Sequence, residues 1–161
     1  MLNLKRKNYL LILFILSLST LIIAYSIQYI MGYQPCNLCL IERIPYALAI
    51  IVLILNYIFK KDQLFYTILL LIIFSFSFLV SLYHVGIEEG LINESNICTN
   101  KNMNLMTKED VLKSLQNIII SCKDVAFRVY GLSLTSYNMI LSMLMILISI
   151  KIYLINDDKK K

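Results

Sequence analysis

The stretch YLLILFILSLSTLIIAYSIQY, Tyr9 to Tyr29, carries no charged residue. A helix rises about 1.5 Å per residue, so about 20 residues cross the hydrocarbon core of a bilayer, and this stretch is long enough to do so. Working outward, three more gaps between charges run from Ile44 to Phe59, Gln63 to Ile87 and Val129 to Ile150. The second is short at 16 residues and relies on snorkelling of Arg43 and Lys60. Composition agrees: 59% of residues are hydrophobic and only 16% charged, with a mean hydropathy of +0.74. A soluble domain of this size carries nearer 25% charged residues. A soluble globular domain, a disordered chain and a secreted disulfide miniprotein are therefore excluded. The net charge of +5 sits in short flanks of the apolar runs, a topology signal that argues against nucleic-acid binding.

These gaps predict an all-α membrane protein, a single four-span domain over residues 1–161. The spans fall at about 9–31, 44–59, 64–84 and 131–152, with outer loops at about 32–43 and 85–130. The first span reads as an uncleaved anchor, because its apolar run exceeds a signal-peptide core and no A-x-A-like site follows. Nine of the fifteen Lys and Arg fall on one side: Lys5, Arg6, Lys7, Lys60, Lys61, Lys151 and Lys159 to Lys161. The positive-inside rule then makes that side, with both termini, cytoplasmic and the resulting bundle four helices across. Within the long second outer loop, Thr107 reads as an N-cap with Asp110 in the capping-box position and Met106 and Val111 as a staple. Apolar residues at 111, 112, 115, 118 and 119 share one face of the short amphipathic helix that follows. It would lie on the bilayer surface or against the outer ends of the spans.

The four cysteines, Cys36, Cys39, Cys98 and Cys122, all fall outside the cytoplasm by this topology. An oxidising compartment permits disulfides, and Cys36-Asn37-Leu38-Cys39 has the spacing of redox-active dithiols. The motif precedes the second span, whose N-terminus favours a thiolate, and Arg43 follows Cys39 by four residues. Pro45 makes helical adjacency of that pair conditional, since it can itself mark the first helical turn. Duller readings stand beside this one. Two disulfides could brace the outer loops, and Arg43 could be an interfacial snorkel. A zinc site would need all four cysteines to converge without a second C-x-x-C. Haem attachment requires His where Leu40 stands. His84, the single histidine, falls near the outer end of the third span, where an interfacial role and a catalytic or quinone contact are both open. Glu88 and Glu89 read as solvated loop acids. Two cysteine pairs in different loops on one side can form an electron relay, since thiol–disulfide exchange moves two electrons from pair to pair.

The segment Gln34-Pro35-Cys36-Asn37-Leu38-Cys39-Leu40-Ile41-Glu42-Arg43 resembles the signature of the disulfide bond formation protein B (DsbB) family. Tyr83-His84-Val85-Gly86-Ile87-Glu88-Glu89-Gly90, followed by Cys98, looks like a second segment of that family. Gly131 to Asn138 (GLSLTSYN) is similar to the stretch that opens its last span, with Tyr137 where relatives often carry Trp. The resemblance implies a thiol:quinone oxidoreductase of the bacterial inner membrane, its cysteine loops facing the periplasm. It would reoxidise a DsbA-like, thioredoxin-fold dithiol oxidase and pass the electrons to ubiquinone or menaquinone in the membrane pool, without a metal. Cys98 would form the mixed disulfide with the partner, and Cys122 would pair with Cys98 at rest and bridge to Cys36 in turnover. Cys39 would face the quinone in a charge-transfer contact, with Arg43, and His84 as a further candidate, at the quinone. DsbA is oxidising, at about −120 mV, so a glutathione-poised couple could not regenerate it. The alternative is a non-enzymatic membrane protein whose disulfides only brace its loops. A quinone reductase resembling the vitamin K epoxide reductase group would be expected to carry its C-x-x-C late in the chain.

Overall fold

The structure is a computed structural model that describes residues 2–59, 63–94, 98, 121–123 and 128–157. Its four long helices are α1 (Leu2–Tyr29), α2 (Asn37–Ile58), α3 (Gln63–Glu88) and α4 (Leu134–Asp157). Each contains a segment long and apolar enough to cross a membrane: Arg6–Tyr29, Asn37–Ile58, Gln63–Glu88 and Leu134–Asn156. The all-α, four-span architecture thus holds. The amphipathic helix expected from Thr107 onward lies outside the described residues.

The helices run up and down, with α3 packed most extensively against α4 and α2, and α1 leaning on α2 and α4. Leu13, Tyr46, Ala49, Val52, Leu53, Leu70, Phe74, Met145 and Ile152 form the buried centre. Between them lie small hydroxyl residues, Ser17, Thr67, Ser81, Ser142 and Ser149, all fully buried. Several return their hydrogen to their own helix: Ser149 Oγ donates to Met145 O at 2.8 Å and Thr67 Oγ1 to Gln63 O at 2.8 Å. Leu11, Ile15, Ile51, Ile72, Leu79 and Leu147, by contrast, are exposed. That inversion suits a bilayer: lipid is as apolar as leucine, so helices associate through close packing of small side chains.

α2 begins at Asn37, so the cysteine motif forms its first turn instead of lying in a loop ahead of it. Cys36 is the N-cap, extended at φ −71° and ψ 169°, its sulfur accepting from Cys39 N–H at 3.3 Å. Pro45 lies inside the helix rather than opening it. Its ring removes one backbone hydrogen bond, an interruption that spanning helices tolerate when neighbouring helices surround it.

α4 is aimed by a hairpin. β1 (Arg128–Val129) pairs antiparallel with β2 (Leu132–Ser133) across Tyr130 and Gly131. Both turn residues have positive φ, 49° and 84°, as a two-residue type I′ loop requires. Ser133 then caps α4, its Oγ accepting from Ser136 N–H at 3.2 Å. The start of α4, with Thr135 and Asn138 on its first two turns, is thereby brought to the same end of the bundle as Cys36.

Candidate active site

All four cysteines converge at that end. Cys98 and Cys122 are joined by a disulfide, with Cα atoms 5.4 Å apart. Cys36 and Cys39 are free thiols with their sulfurs 2.7 Å apart. Cys36, Cys98 and Cys122 are buried in one apolar cluster with Leu38 and Ile87, and Cys39 packs against it. Glu94 anchors the neighbouring loop, accepting from the Ser121 hydroxyl and from Lys123 N–H at 2.9 Å.

Behind Cys36 stands His84, 1% exposed, with Nε2 3.5 Å from the Cys36 sulfur. Its Nδ1 lies 2.9 Å from Glu42 Oε1 and 3.4 Å from Thr135 Oγ1. The Thr135 hydroxyl gives its hydrogen to Glu88 Oε1 at 2.8 Å. Both neighbours of Nδ1 are thus acceptors, which assigns the proton to Nδ1 and leaves the Nε2 lone pair facing the thiol. The second Glu42 oxygen accepts from Asn138 Nδ2 at 2.9 Å, and the same amide nitrogen donates to Ser81 Oγ at 2.7 Å. Tyr46 Oη donates to Asn138 Oδ1. Glu88, which reads as a solvated loop acid from sequence, instead ends α3 with its carboxylate turned inward to Thr135 and 3.8 Å from His84 Nε2. Glu89 is exposed.

Cys39 faces the other way. With Glu42, Arg43 and Tyr46 it forms the α2 wall of a cavity of about 410 Å³. Apolar residues of α1 (Leu21, Ile23, Ala24, Ile27) and the first turns of α4 (Leu134, Thr135, Tyr137, Asn138, Leu141) complete it. Its size falls in the range of small-molecule pockets. Arg43 is held at the wall from α1, donating to Gln28 Oε1 and lying 5.0 Å from the centre of the Tyr25 ring. Cys39 and Arg43, four apart on one helix, therefore do share a face. His84 is not among the lining residues; it backs Cys36 instead.

The Cys36 thiol is pulled down to about 5. The hydrogen bond from the Cys39 side chain is the main cause; burial opposes it, and the bond and charge of His84 reinforce it. The donor atoms of Cys36, Cys39 and His84 lie within 4.8 Å of one another, as metal ligands also can. Glu42, Thr135, Asn138 and Tyr46 carry no functional assignment from sequence. The available signal was the i, i+3 spacing of Glu42 from Cys39 and of Asn138 from Thr135 on their helices.

Across protein families, residues 6–152 match the one described as Disulfide bond formation protein DsbB. The chain belongs to the DsbB family. DsbB membership makes it a multi-pass membrane oxidoreductase of disulfide bond formation, in keeping with its four spans and two cysteine pairs. It is also 32% identical over 145 residues to Uncharacterized protein RP370 of Rickettsia prowazekii (strain Madrid E), covering 85% of this chain and 81% of that protein. No solved structure matches.

Proposed function

We propose that the chain reoxidises a periplasmic DsbA-type dithiol oxidase and delivers the electrons to a membrane quinone, ubiquinone or menaquinone. In this reading the cysteine end of the bundle faces the periplasm of a bacterial inner membrane, and both termini are cytoplasmic. The observation that carries it is the position of Cys39. Its thiol forms part of a largely apolar cavity beside Arg43, while its partner Cys36 is buried against the Cys98–Cys122 disulfide. The inner pair thus borders both a place for an apolar acceptor and the outer pair that would meet a protein.

The exchange steps balance in sulfur. A partner thiolate attacks Cys98, Cys122 leaves as the thiolate, and the second partner thiol resolves the mixed disulfide. The partner departs oxidised and the outer pair reduced. The outer dithiol then reduces the Cys36–Cys39 disulfide through a Cys122–Cys36 bridge, Cys39 leaving as a thiolate. A quinone, when bound, accepts two electrons and two protons as the inner pair closes again. Residues fitted to hold it are Arg43, a fixed donor to a carbonyl oxygen, and the apolar side chains of α1 and α4. A Cys36 thiol held near 5 stabilises the reduced inner pair, which makes that pair more oxidising toward the outer one.

The test uses purified protein in detergent, a reduced DsbA-type partner and a soluble quinone, followed by quinone absorbance. Cys98→Ser and Cys39→Ser should each lower the rate by about 10²-fold or more, with the protein still inserted. Quinone reduction that survives either substitution would overturn the relay.

A further inference from the structure

Closing a disulfide between Cys36 and Cys39 releases two protons as well as two electrons. Cys39 borders the cavity and can lose its proton there. Cys36 does not line the cavity and is 6% exposed, sealed by Leu38, Ile87 and the outer disulfide, so its proton needs a conducted way out. Among the described residues, a side-chain chain that carries a base leads from it. The Cys36 sulfur meets His84 Nε2 at 3.5 Å, His84 Nδ1 meets Glu42 Oε1 at 2.9 Å, and Glu42 is itself part of the cavity wall.

We infer that His84 is the base for Cys36 and that Glu42 carries the proton on to the cavity, so that electrons leave through the Cys39 sulfur and the Cys36 proton leaves through the imidazole. This rests on the proposed transfer to a quinone and adds the proton route to it. Cys36–SH gives its proton to His84 Nε2 and becomes the thiolate that attacks the Cys39 sulfur. Cys39 gives its own proton to the cavity, and the electron pair displaced from its sulfur passes to a bound quinone, so that with the Cys36 proton the acceptor takes two electrons and two protons. The His84 Nδ1 proton moves to the Glu42 carboxylate, and from there to the reduced acceptor, which ends as the quinol. Glu42 returns to its carboxylate, and His84 is left as the Nε2–H tautomer, which regains the Nδ1–H form by moving one proton between its ring nitrogens before the next turnover.

Two features prepare the route. The Nδ1 proton is fixed by two acceptors, so Nε2 is available as the base without a tautomer change. Glu42 is oriented by Asn138, and Asn138 by Tyr46 and Ser81. Glu88, 3.8 Å from Nε2, can counter the imidazolium that forms when Cys36 loses its proton. Among the described residues, other titratable groups around the relay are Cys39 and Tyr46 on α2 and Tyr83 on α3. From α4, the neutral Thr135 and Asn138 lie against the pair.

The experiment reads Cys36 directly. Full-length Cys98→Ser/Cys122→Ser protein, in which Cys36 and Cys39 are the only thiols, is reduced and freed of quinone in detergent. Alkylation of Cys36 by iodoacetamide is then followed from pH 4 to 9 by mass spectrometry of its peptide. The unsubstituted site should alkylate with a midpoint near 5. His84→Gln, which cannot take up the proton, should raise that midpoint by about one to two pH units, and Glu42→Gln should raise it by less. In quinone reduction by otherwise native protein, both substitutions should lower kcat and shift the acid limb of its pH profile, leaving the quinone KM of His84→Gln unchanged.

An unmoved midpoint in folded His84→Gln protein overturns the base. Should that variant fail to fold, a Cys36 midpoint of 8 or above in the unsubstituted site overturns it equally. A Glu42→Gln profile identical to the parent in both assays overturns the relay beyond His84. If the native chain reduces no quinone, the acceptor is wrong and delivery to the cavity falls with it, while the alkylation profile still decides the Cys36–His84 pair.

Discussion

Each end of the bundle has a buried polar cluster, and the two are made of different chemistry. At the end away from the cysteines, Arg6 of α1 donates to Gln63 of α3 and to Asn56 of α2 at 3.4 Å, and Asn156 of α4 donates to Thr67 of α3 at 3.2 Å. At the cysteine end Glu42, His84, Glu88, Thr135 and Asn138 tie α2, α3 and α4. The first cluster holds amides, a hydroxyl and a guanidinium, none of which changes charge near neutral pH. Among the described residues, two of its buried donors, Arg6 Nε and Asn56 Nδ2, have no partner. The second uses both oxygens of Glu42 and ends at a sulfur. A membrane bundle can thus be stapled by polar side chains at either end, but of the two clusters the one at the cysteine end also holds groups that titrate, beside a thiol.

The two arginines put this division to its hardest test. Arg43→Ala should raise the quinone KM by about tenfold or more while changing stability little, because its guanidinium lies on the cavity wall and among the described residues binds Gln28 and the Tyr25 face. Arg43→Lys should recover part of the loss, since a point charge replaces charge but not the planar fork. An unchanged KM in the alanine variant would remove Arg43 from the acceptor site and leave it a snorkelling anchor.

Arg6→Leu should do the reverse. Arg6 is 7% exposed, and its loss leaves the Gln63 and Asn56 oxygens without their donor, costing about 1–3 kcal/mol in unfolding from detergent. Quinone KM and the Cys36 alkylation profile should stay at parental values. A lowered kcat in folded Arg6→Leu protein would show that the far cluster communicates with the sulfur end, and the separation of roles would be lost.

The same contrast explains what the sequence disclosed. Spans were legible because lipid penalises charge at every depth, so charge-free gaps mark helices. The Cys36–Cys39 spacing and the Arg43 offset were legible because they are local. The start of α2 was not. Glu42 and Arg43 look like a boundary in a linear reading, yet Glu42 is buried inside the helix because its charge is met by His84 and Asn138, 42 and 96 residues away. Glu88 was misread for the same reason: the hydroxyl that holds it lies 47 residues on. Pairings of that range leave no periodic trace, and Glu42, Thr135 and Asn138 became visible only when three helices were placed side by side.

The smallest expected effect separates orientation from proton transfer within the cysteine-end cluster. Tyr46 is 1% exposed and donates its hydroxyl to Asn138 Oδ1, which keeps the amide nitrogen of Asn138 turned toward Glu42 Oε2. Tyr46→Phe keeps the ring and its packing but removes that donor. The Asn138 oxygen is then short of a hydrogen, at a cost of about 0.5–1.5 kcal/mol. A flipped amide would set its oxygen against the Glu42 carboxylate, so the Glu42–Asn138 bond weakens while the His84–Glu42 bond remains. Thermal unfolding should fall slightly, and the Cys36 alkylation midpoint should move by less than in Glu42→Gln. A Tyr46→Phe shift as large as that of His84→Gln would mean that the whole network sets the state of Cys36, and that His84 is one strut among several.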